Sequence, residues 1–344
     1  AKIIIIAHLG RPKGKIVPEL TLKPIAKKLS NYLNQDVVFL NESIGSLAIQ
    51  NSKKIPNGKI MLLENIRFHK EEELNSVSFA KELSKIGDIY INEAFPCSHR
   101  THASVCEITK HIDSFAGKQL LEEISAIKML TDNAKKPTTC IVGGSKISTK
   151  SGILINLVRK MQNIVIVGAM ANTFLKYKGY NIGQSIFEKN QENLIENIIQ
   201  ESKKNNCNLV LPEDVITSRN HNSKGILKNL DQINDNDLIL DIGKKTLQNI
   251  FKVIDKSKTV LWNGPAGYFE IDEFSIGSKK IANKISDNTK AKSLISIAGG
   301  GDTVAAINKF KCSNGFTYLS TAGGAFLELL EGKMLPGIKA LEIN

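Results

Sequence analysis

The sequence contains no apolar stretch near the length of about 20 residues that a membrane-spanning helix needs. Its apolar runs have the length of strands, so we expect no membrane association. Cysteine is scarce as well: the five cysteines are scattered and form no Cys-x-x-Cys pair. This pattern argues against a disulfide framework or a structural zinc site and favours a reducing, cytoplasmic environment.

Aromatic residues make up only 6% of the chain, and the basic residues form no blocks although the net charge is +12. A positive charge of this size is compatible with nucleic acid, a membrane surface or small anionic substrates. The lysines are spread along the whole chain, so a solvated, lysine-rich surface is the simpler interpretation. We therefore expect no nucleic acid partner and keep a basic nucleic-acid-binding protein as an alternative.

Several standard catalytic signatures are missing too. There is no Gly-x-Ser-x-Gly nucleophile elbow and no Gly-x-Gly-x-x-Gly, and Gly243-Lys244-Lys245-Thr246 resembles only the tail of a P-loop. His99 and His102 are spaced like metal ligands, but no third His or Cys follows at the expected spacing. Serine hydrolases, zinc enzymes and standard dinucleotide-binding proteins are therefore poor candidates.

Short apolar runs alternate with amphipathic segments along the 344 residues, a length sufficient for two domains. We predict strands at 2–7, 37–40, 59–63, 88–92, 138–142, 163–167, 208–211, 258–262, 293–297 and 316–319. We predict helices at 21–33, 77–85, 117–135, 147–160, 170–177, 190–204, 245–254, 276–286 and 303–309. The alternation predicts an α/β fold with two doubly wound, Rossmann-like parallel sheets and right-handed crossovers. The helix at 117–135 separates two kinds of motif and is the expected hinge.

Four glycine-rich turns in the second half each follow a predicted strand. They are Gly143-Gly144-Ser145-Lys146, Asn263-Gly264-Pro265-Ala266-Gly267, Gly299-Gly300-Gly301-Asp302-Thr303 and Ala322-Gly323-Gly324. Glycine lets backbone N–H groups approach an anion, a helix N-terminus adds partial positive charge, and ligands bind where parallel strands end. The turns therefore predict a polyphosphate site. Lys146 and Lys150, one turn apart at the start of a predicted helix, can reach the same phosphate chain, and Asp302 either caps a helix or holds Mg²⁺.

Three basic motifs in the first half also follow predicted strands. They are His8-Leu9-Gly10-Arg11-Pro12, Glu64-Asn65-Ile66-Arg67-Phe68-His69, and Asn92-Glu93-Ala94-Phe95 leading to His99-Arg100-Thr101-His102. Guanidinium groups bind carboxylates and phosphates in bidentate fashion. Because Arg11, Arg67 and Arg100 occupy equivalent strand ends, we expect them to converge on a small, multiply charged anion.

These motifs together resemble the phosphoglycerate kinase family nearly from end to end. The resemblance is carried by His8-Leu9-Gly10-Arg11-Pro12, Leu63-Glu64-Asn65-Ile66-Arg67-Phe68, Gly143-Gly144-Ser145-Lys146, Trp262-Asn263-Gly264-Pro265, Gly299-Gly300-Gly301-Asp302-Thr303 and Leu327-Glu328-Leu329-Leu330-Glu331-Gly332-Lys333. It implies a phosphotransferase with a carboxyl group as acceptor, acting in glycolysis. Such an enzyme moves a phosphoryl group between 1,3-bisphosphoglycerate and ADP, with Mg²⁺, across a cleft that closes about a hinge.

The resemblance also implies domains and residue roles. The N-terminal domain, 1–116, would bind 3-phosphoglycerate through His8, Arg11, Arg67 and Arg100. After the interdomain helix at 117–135, the domain at 136–326 would bind ADP or ATP, and a segment at 327–344 would return to the first domain. The nucleotide-binding positions are matched by Gly143, Gly144, Lys150, Gly168, Gly243, Asn263, Pro265, Gly267, Glu270, Gly300, Gly301, Asp302 and Thr303.

Four further roles follow from the same resemblance. Lys146 matches the lysine on the transferring phosphate, and Gly323 and Gly324 match the catalytic helix N-terminus beside it. Lys150 matches the α-phosphate contact, and Asp302 matches the Mg²⁺ ligand. We expect a monomer whose partners are these small-molecule substrates.

The chain departs from the family pattern at three places. Ala322 stands where the family usually has glycine, and Phe95-Pro96-Cys97-Ser98 replaces the more usual Phe-Gly-Thr-Ala. The family's opening strand, with its substrate-contacting Asp and Asn and a following Arg, has no counterpart before Ala1. We therefore expect an N-terminally truncated chain, and the alternative function is that of a nucleotide-binding fragment with little or no turnover.

Overall fold

The computed structural model describes residues 1–131 and 134–342. The chain divides into two compact units. The first unit contains Ala1–Leu121 together with the C-terminal residues from Met334 onward, and the second contains Glu122–Lys333.

The first unit is built on two small parallel sheets. Strands β1 (Ile3–Ile5), β2 (Val37–Leu40) and β3 (Ile60–Leu63) form one sheet in the order β1-β3-β2, and β4 (Tyr90–Asn92) pairs with β5 (Ser114–Ala116) in the other. Its helices are α1 (Lys23–Leu33), α2 (Ser46–Lys54), α3 (Lys70–Glu73), α4 (Val77–Ser84), the first residues of α5 (Lys118–Thr131) and, near the C-terminus of the chain, α13 (Pro336–Glu342). The units divide inside α5.

The core of the first unit lies around the middle strand β3. All four residues of β3 are buried because the strand is paired on both edges and covered on both faces. Phe79 and Leu83, four residues apart on α4, pack in the same cluster as Met61 and Leu63. The loops that follow β1, β3 and β4 carry the three basic motifs.

The second unit contains a six-stranded parallel sheet in the order β14-β13-β12-β6-β7-β8. Its strands are β6 (Thr138–Val142), β7 (Asn163–Ile166), β8 (Asn208–Val210), β12 (Thr259–Asn263), β13 (Ile295–Gly299) and β14 (Tyr318–Ser320). Its helices are α6 (Ser151–Lys160), α7 (Gly168–Tyr177), α8 (Glu192–Lys204), α9 (Lys244–Lys256), α10 (Ile276–Lys290), α11 (Gly301–Lys309) and α12 (Gly323–Leu330). The central strands β6 and β12 are buried along their whole length, as expected of a parallel sheet with both faces covered.

The predicted α/β class is confirmed, and each strand predicted from the sequence is present to within a few residues. Strand β5 was not foreseen, nor was one whole sheet: β9 (Asp214–Ser218), β10 (Ile226–Asn229) and β11 (Leu238–Ile242) form an antiparallel sheet in the order β10-β9-β11. On β10 most residues of both faces are exposed, so the apolar–polar alternation that would reveal a half-buried strand is missing.

The helices also correct two boundaries. The helix predicted at 117–135 is present as α5, but residues 134 and 135 are not helical, and residues 132 and 133 lie outside the described part of the chain. The helix predicted at 147–160 begins as a 3₁₀ turn, Ser148–Lys150, and becomes α-helical only at Ser151. None of the helices in the described ranges is long and apolar enough to cross a membrane.

Candidate active site

Arg67 is the centre of the basic cluster in the first unit. It lies in the 3₁₀ turn directly after β3, and its residue surface is only 3% exposed. Its Nη1 donates to the carbonyl of Gly10 at 3.1 Å, and its Nε lies 3.8 Å from Oε1 of Glu73. Nε and Nη2 are buried and have no hydrogen-bond partner among the described residues. A buried guanidinium with two unused donors is suited to receive an anion.

Arg100 adds a second positive charge near Arg67, and two histidines lie in the field of both arginines. Burial lowers the pKa of His8 to about 4, and the charges of Arg67 and Arg100 act in the same direction. The pKa of Arg67 is itself lowered, first by burial and then by Arg100. His102 contributes to the same field. Like charges held together in a partly buried place are stabilised by a bound anion.

Arg11 is placed differently from the other predicted arginines. It is exposed on the loop after β1, next to Gly10, whose carbonyl accepts the Arg67 hydrogen bond. The structure therefore brings Arg67, Arg100 and His8 into one electrostatic cluster and leaves Arg11 on the neighbouring surface.

In the second unit, the predicted glycine turns meet at the carboxyl ends of β6, β7 and β12. The N–H of Gly143 donates to the carbonyl of Asn263 at 2.9 Å. A Cβ atom on Gly143 would lie 2.3 Å from the carbonyl oxygen of Pro265, and one on Gly168 would lie 3.0 Å from the nitrogen of Gly144. Gly144 and Gly168 also have φ angles of +119° and +67°. Gly143 and Gly168 are needed because two backbones pass at a distance that leaves no room for a side chain, and Gly144 is needed because of its φ angle.

Lys150 lies within this crossing. Its Nζ donates to the carbonyl of Gly143 at 2.7 Å and to Oδ1 of Asn263 at 2.5 Å. Burial lowers the pKa of Lys150 to about 8, while the charges of Cys140 and Asp302 act in the opposite direction. The ammonium group is thus held against backbone and amide oxygens, close enough to Asp302 for their charges to interact.

The turn after β13 joins the same network and starts α11. The Nδ2 of Asn263 donates to the carbonyl of Gly299 at 2.7 Å, and Oγ1 of Thr303 accepts the N–H of Gly264 at 2.7 Å. Gly300 has a φ of +97°, and a Cβ there would lie 2.8 Å from Asn263 Nδ2. A Cβ added to Gly301 would meet no atom within 4 Å, so the first residue of α11 faces open space.

Asp302 is the exposed carboxylate in the first turn of α11. Among the described residues, no three His, Cys, Asp or Glu side chains converge as a metal cluster. A lone carboxylate beside a glycine-rich turn still fits Mg²⁺, which is commonly bound by one or two carboxylates together with substrate phosphates. The donor chemistry of this turn therefore fits a metal that arrives with a nucleotide.

Lys146 is exposed and lies before the 3₁₀ turn rather than on the opening turn of a helix. The expectation that Lys146 and Lys150 lie together on the first turn of a helix is therefore wrong, because helical geometry begins only after Ile147. The turn is held by Glu188, whose carboxylate accepts the N–H of Ser148 at 3.0 Å and also its hydroxyl. The sequence analysis did not single out Glu188, since 40 residues separate it from Ser148.

Gly243 and Gly267 are packed against buried carboxylates. A Cβ on Gly243 would lie 2.3 Å from Cγ of Asp214, and one on Gly267 would lie 2.4 Å from Oδ1 of Asp241. Both carboxylates accept backbone N–H groups at the beginning of helices: that of Asp214 at α9 and that of Asp241 at α10. These glycines therefore allow two helix caps to pack closely.

The remaining predicted positions lie at exposed edges. Glu270 is exposed, and its carbonyl accepts the Nζ of Lys309 at 3.0 Å. Gly323 and Gly324 lie in the first turn of α12, and the N–H of Gly323 donates to the carbonyl of Thr321 at 3.1 Å. The N-terminus of α12 is thus presented beside that of α11, since β13 and β14 are neighbours.

Comparison with known proteins matches this architecture to one family. The family model described as phosphoglycerate kinase matches residues 1–333. The chain belongs to the phosphoglycerate kinase family. The family predicted from the six motifs is thereby confirmed.

Relatives in the phosphoglycerate kinase family match almost the whole chain. Phosphoglycerate kinase from Bartonella bacilliformis is 45% identical over 347 residues, covering 99% of this chain and 86% of that protein. The Orientia tsutsugamushi (strain Ikeda) enzyme is 44% identical, with 99% and 85% covered. The solved structure of phosphoglycerate kinase from Coxiella burnetii has a TM-score of 0.89 at 38% identity, covering all of this chain and 86% of that one. The Pyrococcus horikoshii structure has a TM-score of 0.83 at 27% identity, with 100% and 87% covered.

Two local departures from the family pattern are accommodated. Ala322 is buried and has a φ of −87°, a value at which alanine is unstrained. Residues Phe95–Cys97 form a 3₁₀ turn, and the N–H of Ser98 bonds the carbonyl of Phe95 at 2.9 Å. Neither place requires the backbone freedom of glycine.

Proposed function

We propose that this chain catalyses reversible phosphoryl transfer between 1,3-bisphosphoglycerate and ADP, giving 3-phosphoglycerate and ATP, as a phosphoglycerate kinase of glycolysis. The observation that carries the proposal is Arg67, whose two buried donors have no partner among the described residues and lie within a cluster of like charge. A small acid that carries both a phosphate and a carboxylate supplies the anionic oxygens that these arginines can bind.

We assign the three-carbon substrate to the first unit. In this proposal Arg67 and Arg100 bind the anionic groups of 3-phosphoglycerate, and His8 lines the same place as a neutral imidazole because its pKa is about 4. Arg11, exposed on the next loop, provides an outer contact. The supporting observation is the shared electrostatic field of these side chains.

We assign ADP or ATP to the second unit. Gly143, Gly144 and Gly168 form the close-packed floor, and Lys150 provides a cation beside it. The N–H groups at the beginnings of α11 and α12, including Gly301, are suited to phosphate oxygens. The further predicted contacts are Gly243, Asn263, Pro265, Gly267, Glu270, Gly300 and Thr303. In the bound state, Mg²⁺ held by Asp302 would neutralise charge on the nucleotide phosphates.

Phosphoryl transfer requires positioning and charge neutralisation rather than a covalent nucleophile. Lys146 is the exposed cation at the end of the Gly143–Lys146 turn, and we assign it to the transferring phosphoryl group. Gly323 and Gly324 would present backbone N–H groups to the same charge. The cytoplasmic location and the monomeric state remain predictions, the former from the cysteine pattern and the latter from the family resemblance.

The test is an assay of ADP formation from ATP by the 344-residue chain, measured with and without 3-phosphoglycerate and Mg²⁺. We expect turnover that requires both. Nucleotide binding without turnover would support the alternative of a nucleotide-binding fragment, and absence of both would refute the proposed function.

Lys146→Ala should lower kcat by about 10²-fold or more, because the lost charge acts mainly in the transition state. Its dissociation constant for ADP should stay within about threefold of the parent, since uniform binding is little affected. Lys160→Ala, at the exposed end of α6, is the matched control and should leave both quantities unchanged. Equal losses in kcat and ADP affinity would contradict the role of Lys146 in the transfer step.

A further inference from the structure

We propose that Glu72, Ser104 and Tyr90, here called the Ser104 clamp, position Arg100 and His102 for the three-carbon substrate. The inference rests on the proposed function and extends it to residues that do not touch the substrate. The Ser104 clamp joins the loop that carries Arg100 to the segment that carries Arg67.

Every polar group of Ser104 is used by the clamp. Its N–H donates to Oε2 of Glu72 at 2.9 Å, and its hydroxyl donates to Oε1 of the same side chain at 2.6 Å. Its carbonyl accepts the hydroxyl of Tyr90 at 2.7 Å. The backbone carbonyl of Glu72 accepts the N–H of Ala103 at 2.9 Å as well. Four hydrogen bonds from α3 and β4 therefore hold two consecutive residues of the loop.

The rest of the loop is shaped mainly by bonds within itself, and the carbonyl of Ser98 also accepts the N–H of Gly337 on α13 at 2.8 Å. The N–H of Arg100 donates to the carbonyl of Cys97 at 2.9 Å, and the carbonyl of His102 accepts the N–H groups of Val105 and Cys106 at 3.0 and 2.8 Å. These short-range bonds define the form of the turns but do not fix where the loop lies relative to Arg67. The bonds of the Ser104 clamp hold the loop against the segment that carries Arg67, whereas the Gly337 bond holds it against α13.

Glu72 is a costly residue to use as a structural acceptor. It is 2% exposed, and burial raises its pKa although the Ser104 bonds oppose the shift. Its Oε1 lies 3.7 Å from Nδ1 of His102. A buried carboxylate here also reduces the positive field that attracts the anion. The cost of burying this carboxylate is explained if Glu72 fixes the positions of Arg100 and His102.

Glu72 is also close to Arg67 in the chain, so a bond to Glu72 ties the loop to the segment that carries Arg67. It lies five residues after Arg67, and the 3₁₀ turn of Arg67 leads straight into α3. The clamp thus sets the separation of two guanidinium groups that must engage one small anion together. Misplacement by about 1 Å can reduce such a cooperative interaction by up to ~10²-fold.

The test uses three variants of the full chain. Glu72→Ala removes two of the bonds to Ser104, whereas Glu72→Gln keeps an amide oxygen that can accept the Ser104 N–H. Tyr90→Phe removes only the bond to the Ser104 carbonyl and changes no charge. Glu82→Gln is the control, since Glu82 is an exposed acid in a surface pair with Lys85.

The main measurement is the dissociation constant for 3-phosphoglycerate by calorimetry, together with KM and kcat. We expect Glu72→Ala to weaken 3-phosphoglycerate binding and raise its KM by about tenfold or more, with Tyr90→Phe showing a smaller effect in the same direction. Glu72→Gln should recover most of the loss. The KM for ATP should not change, and the Ser104 amide should exchange with solvent faster in Glu72→Ala and Tyr90→Phe.

A purely structural role gives a different pattern. Loss of folded protein would lower the apparent kcat and leave the KM values for 3-phosphoglycerate and ATP unchanged. That result would overturn the clamp. So would a Glu72→Ala chain that binds 3-phosphoglycerate as tightly as the parent, and in that case the proposed function would stand. If the parent chain neither binds nor turns over 3-phosphoglycerate, the proposed function fails and the positioning role fails with it.

Discussion

At the scale of single residues, the glycines of the second unit divide into crowded and open positions. Gly143 is crowded, since an added Cβ would meet a backbone oxygen that cannot move away without breaking the turn. Gly301 faces open space at the beginning of α11. Both positions are glycines in glycine-rich turns, but only Gly143 is held to glycine by close packing.

Gly143→Ala should therefore lower the free energy of unfolding by about 1–3 kcal/mol, the usual cost of overpacking. Gly301→Ala, the matched control, should change it by less than about 0.5 kcal/mol. Urea unfolding followed by the fluorescence of Trp262, the single tryptophan, reports on the second unit because this residue is fully buried in β12. Equal stability of the two variants would contradict the close approach of Gly143 to Pro265.

Lys150 provides a pH-dependent prediction. Its pKa is lowered to about 8 in the folded chain from an ordinary value of 10.5, so raising the pH through about 8 removes the ammonium charge. ADP affinity should fall over the same range, by up to about tenfold, as an ion pair with phosphate is lost. Titration calorimetry between about pH 7 and 9 measures this, and Lys150→Met should flatten the profile.

Stability should change in the opposite direction. Between about pH 8 and 10.5 the unfolded chain holds the Lys150 proton and the folded chain releases it, so this residue's contribution to stability rises with pH in that window. A stability profile that falls there relative to Lys150→Met would contradict the lowered pKa.

At the scale of elements, helix N-termini organise the second unit. The carboxylate of Asp214, on β9, accepts the backbone N–H groups of Lys245 and Thr246 at 2.9 and 2.8 Å and the Thr246 hydroxyl at 2.7 Å. A side chain from the antiparallel sheet therefore caps α9, which packs against α10 of the parallel-sheet layer. The unforeseen sheet has a structural reason, because it supplies a cap that α9 itself lacks.

Asp214→Ala should lower the free energy of unfolding by about 2–3 kcal/mol, because buried donors lose a charged acceptor. Asp214→Asn should cost less, since its amide oxygen still accepts one bond. Asp231→Ala, at an exposed aspartate of the same unit, should stay within about 0.5 kcal/mol of the parent. Trp262 fluorescence in urea again measures the change, and an unchanged Asp214→Ala midpoint would show that α9 does not depend on this cap.

At the scale of the full chain, the protein contains two units, each with its own sheets and core. We expect each substrate to stabilise the unit to which we assign it, since a ligand stabilises the state that binds it. Hydrogen exchange should show Mg²⁺–ADP protecting amides of the Gly143–Lys150 turn and 3-phosphoglycerate protecting those of residues 97–106. Protection by 3-phosphoglycerate confined to the second unit would contradict the assignment.

Local sequence was sufficient to predict every strand of the parallel sheets except β5, and the motifs that identify the family. Strands such as β6 and β12 are buried on both faces and must be continuously apolar, so their local composition reveals them. Glycine turns at strand ends are also local signals. The exposed strand β10 carries no such signal. Its sheet partners β9 and β11 are mostly buried and do contain short apolar runs, so the prediction missed two strands that local composition indicates.

Which groups meet was settled only by folding. The bonds of Lys150 to Asn263, of Ser148 to Glu188 and of Ser104 to Glu72 join residues that are 113, 40 and 32 positions apart. Hydrophobic periodicity does not reveal pairs at such sequence separations, because the packing of whole elements determines which polar groups meet. For the same reason, Arg11, Arg67 and Arg100 are equivalent as sequence motifs, whereas folding buries Arg67 with two unused donors and leaves Arg11 exposed.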